Sequence, residues 1–160
     1  MNINIPQMTP AQASDWVELQ WAAGNVPCLI SLSGTGKDTI ARDLKDKLGL
    51  GIPGDYTPAG GYVDFRVADH EATEVAGFPA PDFERGRVDY LPVGILPFEG
   101  IPGTHETGIL LLNEYGQGRD DQKSMMSEVL EYHTAGGRPL KRGWKVLVAS
   151  NRPDEGAMST

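Results

Sequence analysis

Pro27-Cys28-Leu29-Ile30-Ser31-Leu32-Ser33-Gly34-Thr35-Gly36-Lys37-Asp38-Thr39-Ile40-Ala41-Arg42-Asp43-Leu44 is the stretch that decides the fold. Its first part, Cys28 to Leu32, is a largely apolar run that suits a parallel strand covered on both faces. From Lys37 onward the period changes. Ile40, Leu44 and Leu48 recur on one face of a helix, with Arg42, Asp43, Lys45 and Asp46 mostly elsewhere, and Gly49 and Gly51 supply the stop. Between strand and helix, Gly34 and Gly36 let the backbone curl so that successive N–H groups face inward as a nest for anionic oxygens. The helix N-terminus adds positive potential, and Lys37 adds a full charge able to reach terminal phosphates.

Set against the phosphate-loop pattern G-x-x-x-x-G-K-[ST], Gly36 and Lys37 fit, while Ser31 stands at the first glycine and Asp38 at the hydroxyl position. Serine is small and costs little there unless positive φ is required. Asp38 matters more, because the hydroxyl at that position ordinarily ligates Mg²⁺.

The remaining chain supplies what an open parallel sheet needs. Thr9-Pro10 caps a helix carrying Trp16, Val17, Leu19 and Trp21 and closed by Gly24, the tryptophans serving packing. Gly49 to Gly61 is a Gly/Pro-rich connection, and Tyr62 to Val67 alternates as a strand. Residues 68–107 show little periodicity, with short strands expected at Val75–Phe78 and Leu91–Leu96. Gly108 to Glu114 is a buried strand ending in two polar residues. Asp120 and Asp121 cap a helix bearing Met125, Met126, Val129 and Leu130, residues 134–143 are turn-rich and hairpin-like, and Lys145 to Ser150 is a further strand followed by Asn151. Strands thus end at Lys37, at Asn113-Glu114 and at Asn151. Ligands of open α/β sheets lie at the carboxyl ends of the strands, so these groups converge on one crevice. Phosphoryl hydrolysis requires such a set: a lysine and amides on the phosphates, a metal, and a carboxylate for the water.

Composition sets the outer bounds. The 160 residues fit one domain with a real core, 20 Gly and 12 Pro make it rich in turns, and a formal charge of -8 argues against general binding to nucleic acid or anionic membrane. A local basic patch is still allowed, for instance Arg138, Lys141, Arg142 and Lys145. The single cysteine, Cys28, excludes an internal disulfide, suits a reducing cytoplasm and reads as a small buried hydrophobe. There is no membrane-length apolar run and no signal-peptide pattern. His70, His105 and His133 lack ligand spacing, His70-Glu71-Ala72-Thr73-Glu74 lacks the second histidine of H-E-x-x-H, and no G-x-S-x-G elbow exists.

Three segments together resemble the nucleotide-binding core of AAA+ ATPases of the MoxR-like branch: Ser33-Gly34-Thr35-Gly36-Lys37 (Walker A), Leu110-Leu111-Leu112-Asn113-Glu114 (Walker B) and Val148-Ala149-Ser150-Asn151-Arg152-Pro153 (sensor 1). Tyr62-Val63-Asp64-Phe65-Arg66 with Gly77-Phe78-Pro79, and Arg138-Pro139-Leu140 with Gly143-Trp144, are similar to that branch's second strand and to its hairpin before sensor 1. The resemblance implies an α/β P-loop NTPase-type three-layer sandwich with a mostly parallel sheet. Residues 1–25 would be an arm and helix, 26–155 the core and 156–160 a tail. It implies ATP and Mg²⁺, with Ser33, Gly34, Thr35, Gly36, Lys37, Asp38 and Thr39 binding nucleotide, Asp38 and Asn113 at the metal, and Glu114 and Asn151 catalytic. It also implies a ring of subunits, commonly six, that remodels a protein partner.

The departures are instructive. Asn113 stands where the family's Walker B aspartate is found, and Asp38 where its Walker A hydroxyl is found; both flank the same metal. A stray unit charge about 4 Å from the phosphates would be worth ~4 kcal/mol at an effective dielectric of 20. The reading adopted is a swap, in which Asp38 brings to the metal the negative charge that Asn113 gives up. Only nine residues follow Asn151, and in the family the fifth strand, arginine finger and helical lid come after this point, so the chain is expected to be one piece of a split or truncated protein or to have a partner that covers its edge. The core is therefore expected to be truncated to four strands. Its phosphate-loop strand would be a sheet edge open to a partner chain, and the isolated chain would have feeble ATPase activity. The alternative is a catalytically degenerate binding or assembly module; a simple P-loop kinase fits less well.

Overall fold

The computed structural model describes residues 7–31, 36–91, 94 and 96–151. Twelve elements follow in order: α1 (Pro10–Ala22), β1 (Cys28–Ser31), α2 (Lys37–Lys47), β2 (Tyr62–Arg66), α3 (Ala72–Ala76), β3 (Phe78–Asp82), β4 (Arg87–Leu91), β5 (Thr107–Asn113), α4 (Asp120–Tyr132), β6 (Thr134–Ala135), β7 (Arg138–Pro139) and β8 (Gly143–Asn151). Four of the strands form one sheet in the order β1-β8-β5-β2, and every pairing in it is parallel. The fold is α/β, a three-layer sandwich on a parallel sheet. Among the described residues β8 is the last element, and no helical lid follows it.

Alternation along the central strands builds two cores. Ile109 and Leu111 of β5 and Leu147 and Ala149 of β8 face α1 and α2 through Val17, Ala41 and Leu44, with Tyr62 of β2 beside them. Leu110, Leu112, Val146 and Val148 face the other way, onto Met126 and Val129 of α4 and onto Phe65, Phe98, Leu140 and Trp144. Burial on both faces explains why β5 and β8 read as continuous apolar runs. Trp21 packs as expected and donates from Nε1 to the carbonyl of Val146 at 2.8 Å.

Several expectations need correction. β1 is the edge strand, as expected, but it is not covered on both faces: Cys28 is exposed and Ile30 is 40% exposed, because nothing described lies beyond them toward the α4 side of the sheet. Cys28 is therefore no buried core residue, although its surroundings desolvate the thiol enough to raise its pKa, a rise that the nearby charge of Lys37 partly offsets. Lys45, placed off the apolar face of α2 with Arg42, Asp43 and Asp46, is fully buried. Its ammonium donates to the carbonyl of Ile52 at 2.6 Å, approaches Asp46 at 3.4 Å and sits 5.3 Å from the centre of the Tyr56 ring. It pins the loop after α2. The segment read as a strand at Val75–Phe78 is instead the end of α3, a left-handed Gly77 and the start of β3, which pairs antiparallel with β4. The second short strand, expected at Leu91–Leu96, is displaced toward the N-terminus as β4, and residues 92, 93 and 95 lie outside the described set. The hairpin at 134–143 is present as β6 and β7, joined by Gly136 and Gly137 at φ 57° and 76°, a turn whose twist matches its strands. α4 begins one residue after its cap Arg119, not after Asp120 or Asp121. The basic cluster is dispersed: Lys141 is buried and donates to Thr104, and Arg138 donates to the carbonyl of Tyr90.

Candidate functional site at the carboxyl ends of the sheet

All four parallel strands point the same way, so their carboxyl ends share one rim of the sheet. Gly36 caps α2 at φ 86°, ψ 28°. A Cβ there would meet nothing nearer than 3.8 Å, so backbone conformation and not space demands glycine at this position. Lys37 follows in the first helical turn. Its Nζ donates to Ser31 Oγ at 2.9 Å, at the end of β1, and to Asn151 Oδ1 at 3.3 Å, at the end of β8. Ser31 and Asn151 are register partners in the parallel ladder, which is why both reach one ammonium. Asp38 and Thr39 occupy the next two positions of α2, Asp38 half-buried and Thr39 exposed. Ser33, Gly34 and Thr35 lie outside the described residues.

The other half of the rim belongs to β5 and β2. Arg66 and Asn113 are register partners. The Asn113 side chain turns back along β2, where its Nδ2 donates to Asp64 Oδ1 at 3.2 Å, and its Oδ1 accepts the backbone N–H of Glu114 at 3.0 Å. Only the amide nitrogen can face a carboxylate and only the amide oxygen can face an N–H, so the orientation of the amide is forced. Glu114 itself is left-handed, at φ 53°, ψ 36°, which costs a non-glycine residue about 1–2 kcal/mol. The turn it opens is tied to the neighbouring strand, since Gly116 N–H donates to Ser150 Oγ at 3.1 Å. The expected groups are thus distributed in two sets. Lys37 and Asn151 meet directly, Asn113 and Glu114 are joined through the backbone, and Asp38 lies at the start of the helix that packs over β2.

Two participants went unassigned in the sequence reading. Ser31 was noted only as a substitute glycine, yet it holds the lysine. Asp64 was read as part of an alternating strand, yet it is the partner of Asn113. The signal for Asp64 was its place two residues after Tyr62, on the same strand face and near the strand end.

Tyr62 lies behind this second set. It is 2% exposed, and its hydroxyl is buried with no hydrogen-bond partner among the described residues. Burial first, and then the charge of Asp64, push its pKa up to about 12. Arg42 lies over the ring face at 5.6 Å from the centroid. An arginine could in any case satisfy only the acceptor side of a phenol; the O–H would still want an oxygen.

Among the described residues no three His, Cys, Asp or Glu side chains converge as a ready metal cage. The histidines have structural partners: His70 pairs with Glu74 and stacks on Phe65, His105 meets Thr107, and His133 faces the Lys141 carbonyl. A cavity of about 410 Å³ lies elsewhere, lined by Val88, Asp89, Tyr90, Gly136, Gly137 and Arg138, in the seam between the two hairpins. It holds none of the converging groups. Among the described residues no helix is long and apolar enough to cross a membrane.

No family model matches the chain, and no curated protein does. Among solved structures, one of NtrX from Brucella abortus is similar at 14% identity and a TM-score of 0.49, covering 97% of this chain and 33% of that one. Another, of NtrX from Brucella abortus in complex with ADP, is similar at 17% identity and a TM-score of 0.48, covering 98% and 32%. The chain therefore spans roughly a third of the length of those structures. Similarity at this level adds nothing to the functional reading, which rests on the rim of the sheet.

Proposed function

We propose that this chain is a nucleotide-binding module of the AAA+ type, resembling the MoxR-like branch, that holds Mg-ATP across the carboxyl ends of β1, β8, β5 and β2, with residues 26–155 as its core. The observation that carries the reading is the placement of Lys37. Its ammonium stands at the N-terminus of α2, with Ser31 Oγ and Asn151 Oδ1 on it, at the place where the β- and γ-phosphates of a bound nucleotide would lie. The backbone amides of Ser33 to Lys37 and the start of α2, including Asp38 and Thr39, would complete the phosphate cradle.

The donor set fits magnesium. Mg²⁺ prefers oxygen ligands and is commonly held by one or two carboxylates plus substrate phosphates and waters, so the lack of a three-residue cage is no obstacle. Asp38 would ligate it and Asn113 would act beside it. The ion, when bound, neutralises charge on the phosphates. Glu114 would orient the attacking water, and the left-handed turn fixes its backbone next to Asn113. Asn151 would contact the γ-phosphate, exchanging its present bond to Lys37 for one shared with the ligand.

Hydrolysis by the chain alone would be slow, since an arginine supplied in trans contributes orders of magnitude in such enzymes. The edge of β1, uncovered among the described residues and with Ile30 exposed, supports assembly into a ring or pairing with a partner chain, and through it the remodelling of a protein substrate in the cytoplasm. A second reading, a degenerate AAA+-like binding or assembly module, is favoured by one observation: both ends of the Asn113 amide are already engaged.

Thermal unfolding with ATP, with and without Mg²⁺, separates the two. Binding at a hundred times Kd stabilises by about 2.7 kcal/mol. A saturable, Mg²⁺-dependent rise in Tm is the expected result; no rise with either form would favour the second reading.

A further inference from the structure

The β3–β4 hairpin forms a sheet of its own, and it concentrates exposed apolar surface: Phe78, Phe83, Val88, Tyr90 and Leu91 are each more than half exposed. Apolar surface gathered in this way marks a contact site. The register sorts its side chains. Phe78, Ala80 and Asp82 share one face with Leu91, Asp89 and Arg87. Pro79, Pro81, Val88 and Tyr90 share the other, and all four are exposed.

The backbone of β4 is open along its outer edge. Pro79 and Pro81 have no N–H, so the ladder between the strands runs through Phe78, Ala80 and Asp82 and their partners. Val88 and Tyr90 therefore turn N–H and C=O away from β3. The Tyr90 carbonyl shows the direction, since it accepts from the Arg138 guanidinium on the facing hairpin. Among the described residues nothing outside the hairpin bonds the N–H of Val88 or Tyr90, or the Val88 carbonyl. The same prolines strip the outer edge of β3 of its donors, which leaves β4 as the edge able to pair. The cavity of about 410 Å³ lies against it, with Val88, Asp89 and Tyr90 on one wall and Gly136, Gly137 and Arg138 on the other. The two glycines put no side chain into that space.

Charge selects the occupant. Asp89 is paired with Arg87 at 3.1 Å, and Glu128, beside the cleft, accepts the Gly137 N–H at 3.0 Å. Arg138 is half-buried and has no carboxylate partner among the described residues. A guanidinium carries five N–H donors, so one can stay on the Tyr90 carbonyl while others take a carboxylate. We propose that an extended segment of a partner protein adds to the outer edge of β4 as a third strand. Its alternate apolar side chains lie along Pro79, Pro81, Val88 and Tyr90, and an aspartate or glutamate meets Arg138. The inference goes beyond the nucleotide reading and does not depend on it.

The test selects random short peptides, displayed on phage, against the full chain. Enriched sequences are expected to alternate apolar residues around an acidic one, and a synthetic peptide of the leading sequence to slow amide exchange at Val88 and Tyr90, which in the free chain exchange faster than Ala80 and Asp89. Arg138→Ala is expected to weaken that peptide about tenfold, and replacing the peptide's own acid by its amide to do the same, with no further loss when both are combined. Val88→Pro removes one outward N–H and leaves the ladder to β3 intact; Tm should hold while affinity falls about fivefold. Where that variant lowers Tm, N-methylation of alternate amides in the peptide reads the same bonds. A selection that enriches nothing, sequences without an acid, or affinity unmoved by Arg138→Ala overturns the acidic partner. Slow exchange at Val88 and Tyr90 in the free chain, or affinity unmoved by both Val88→Pro and N-methylation, overturns strand addition. Self-association of the chain that disappears in Val88→Pro gives the edge to a second copy and overturns the partner.

Discussion

The two strand pairs that make the rim have opposite electrostatic characters. At the ends of β1 and β8 stands a cation, Lys37, ringed by the neutral oxygens of Ser31 and Asn151. On β2 and just past the end of β5 stand carboxylates, with Asn113 tying Asp64 to the turn at Glu114. In each half a neutral amide or hydroxyl orients a charge without cancelling it. Full ion pairs occur elsewhere in the chain, as between Lys47 and Glu18 at 2.8 Å, and there they only fasten surfaces. A rim whose charges are held apart and oriented is prepared for a ligand that is itself divided, phosphate on one side and metal on the other.

Removing the cation should give the largest effect. Lys37→Ala is expected to weaken ATP at least about a hundredfold, about 2.7 kcal/mol, by calorimetry, while the apo protein loses the hydrogen bonds to Ser31 and Asn151, about 1 kcal/mol each. Next comes the anionic half. Asn113→Asp sets a second carboxylate against Asp64 and removes the donated N–H. It is expected to lower stability by about 1–2 kcal/mol in denaturant, and adding Asp64→Asn should recover at least half of that loss. Strict additivity in this cycle would contradict the coupling of the two residues. Ser31→Ala tests the support of the lysine alone and should cost about 1 kcal/mol of apo stability. Glu114→Gly relieves the left-handed backbone and should stabilise by up to about 1 kcal/mol while abolishing any turnover.

The smallest effect lies outside the rim. The Tyr56 hydroxyl, then Gly54 N–H, pull the pKa of Asp46 below its ordinary 3.8, and the hydroxyl and backbone of Thr57 do the same for Asp55. A depressed carboxylate contributes its full stabilisation above its unfolded pKa, near 3.8, and loses it as pH falls through the lower folded value. Amide exchange in the loop at 49–61 should therefore quicken below about pH 4 relative to the central strands. In Asp46→Asn that acid sensitivity should shrink.

The central strands, and helices α1, α2 and α4, were legible because burial on two faces or on one stripe writes itself into composition and period. Leu110 to Leu112 admits little else. The edge position of β1 was expected, but the exposure of its α4-side face was not legible: Cys28 and Ile30 are as apolar as their neighbours in β8, and what covers that face is not written in their own residues. Lys45 misled because a buried lysine is identified by its partners, Ile52 and Tyr56, which are separated from it by a loop. In the site, Lys37, Asn113, Glu114 and Asn151 stood out through local motif. Asp64 did not, because its partnership with Asn113 spans 49 residues and depends on the β2–β5 register.

The most direct test of the whole account is calorimetric titration of the full wild-type chain with ATP, in Mg²⁺ and in EDTA, beside Lys37→Ala. One saturable site, tighter in Mg²⁺ and lost in the variant, is the expected result. Heat that is absent from wild type, or that survives unchanged in Lys37→Ala, would contradict a nucleotide site at the carboxyl ends of this sheet.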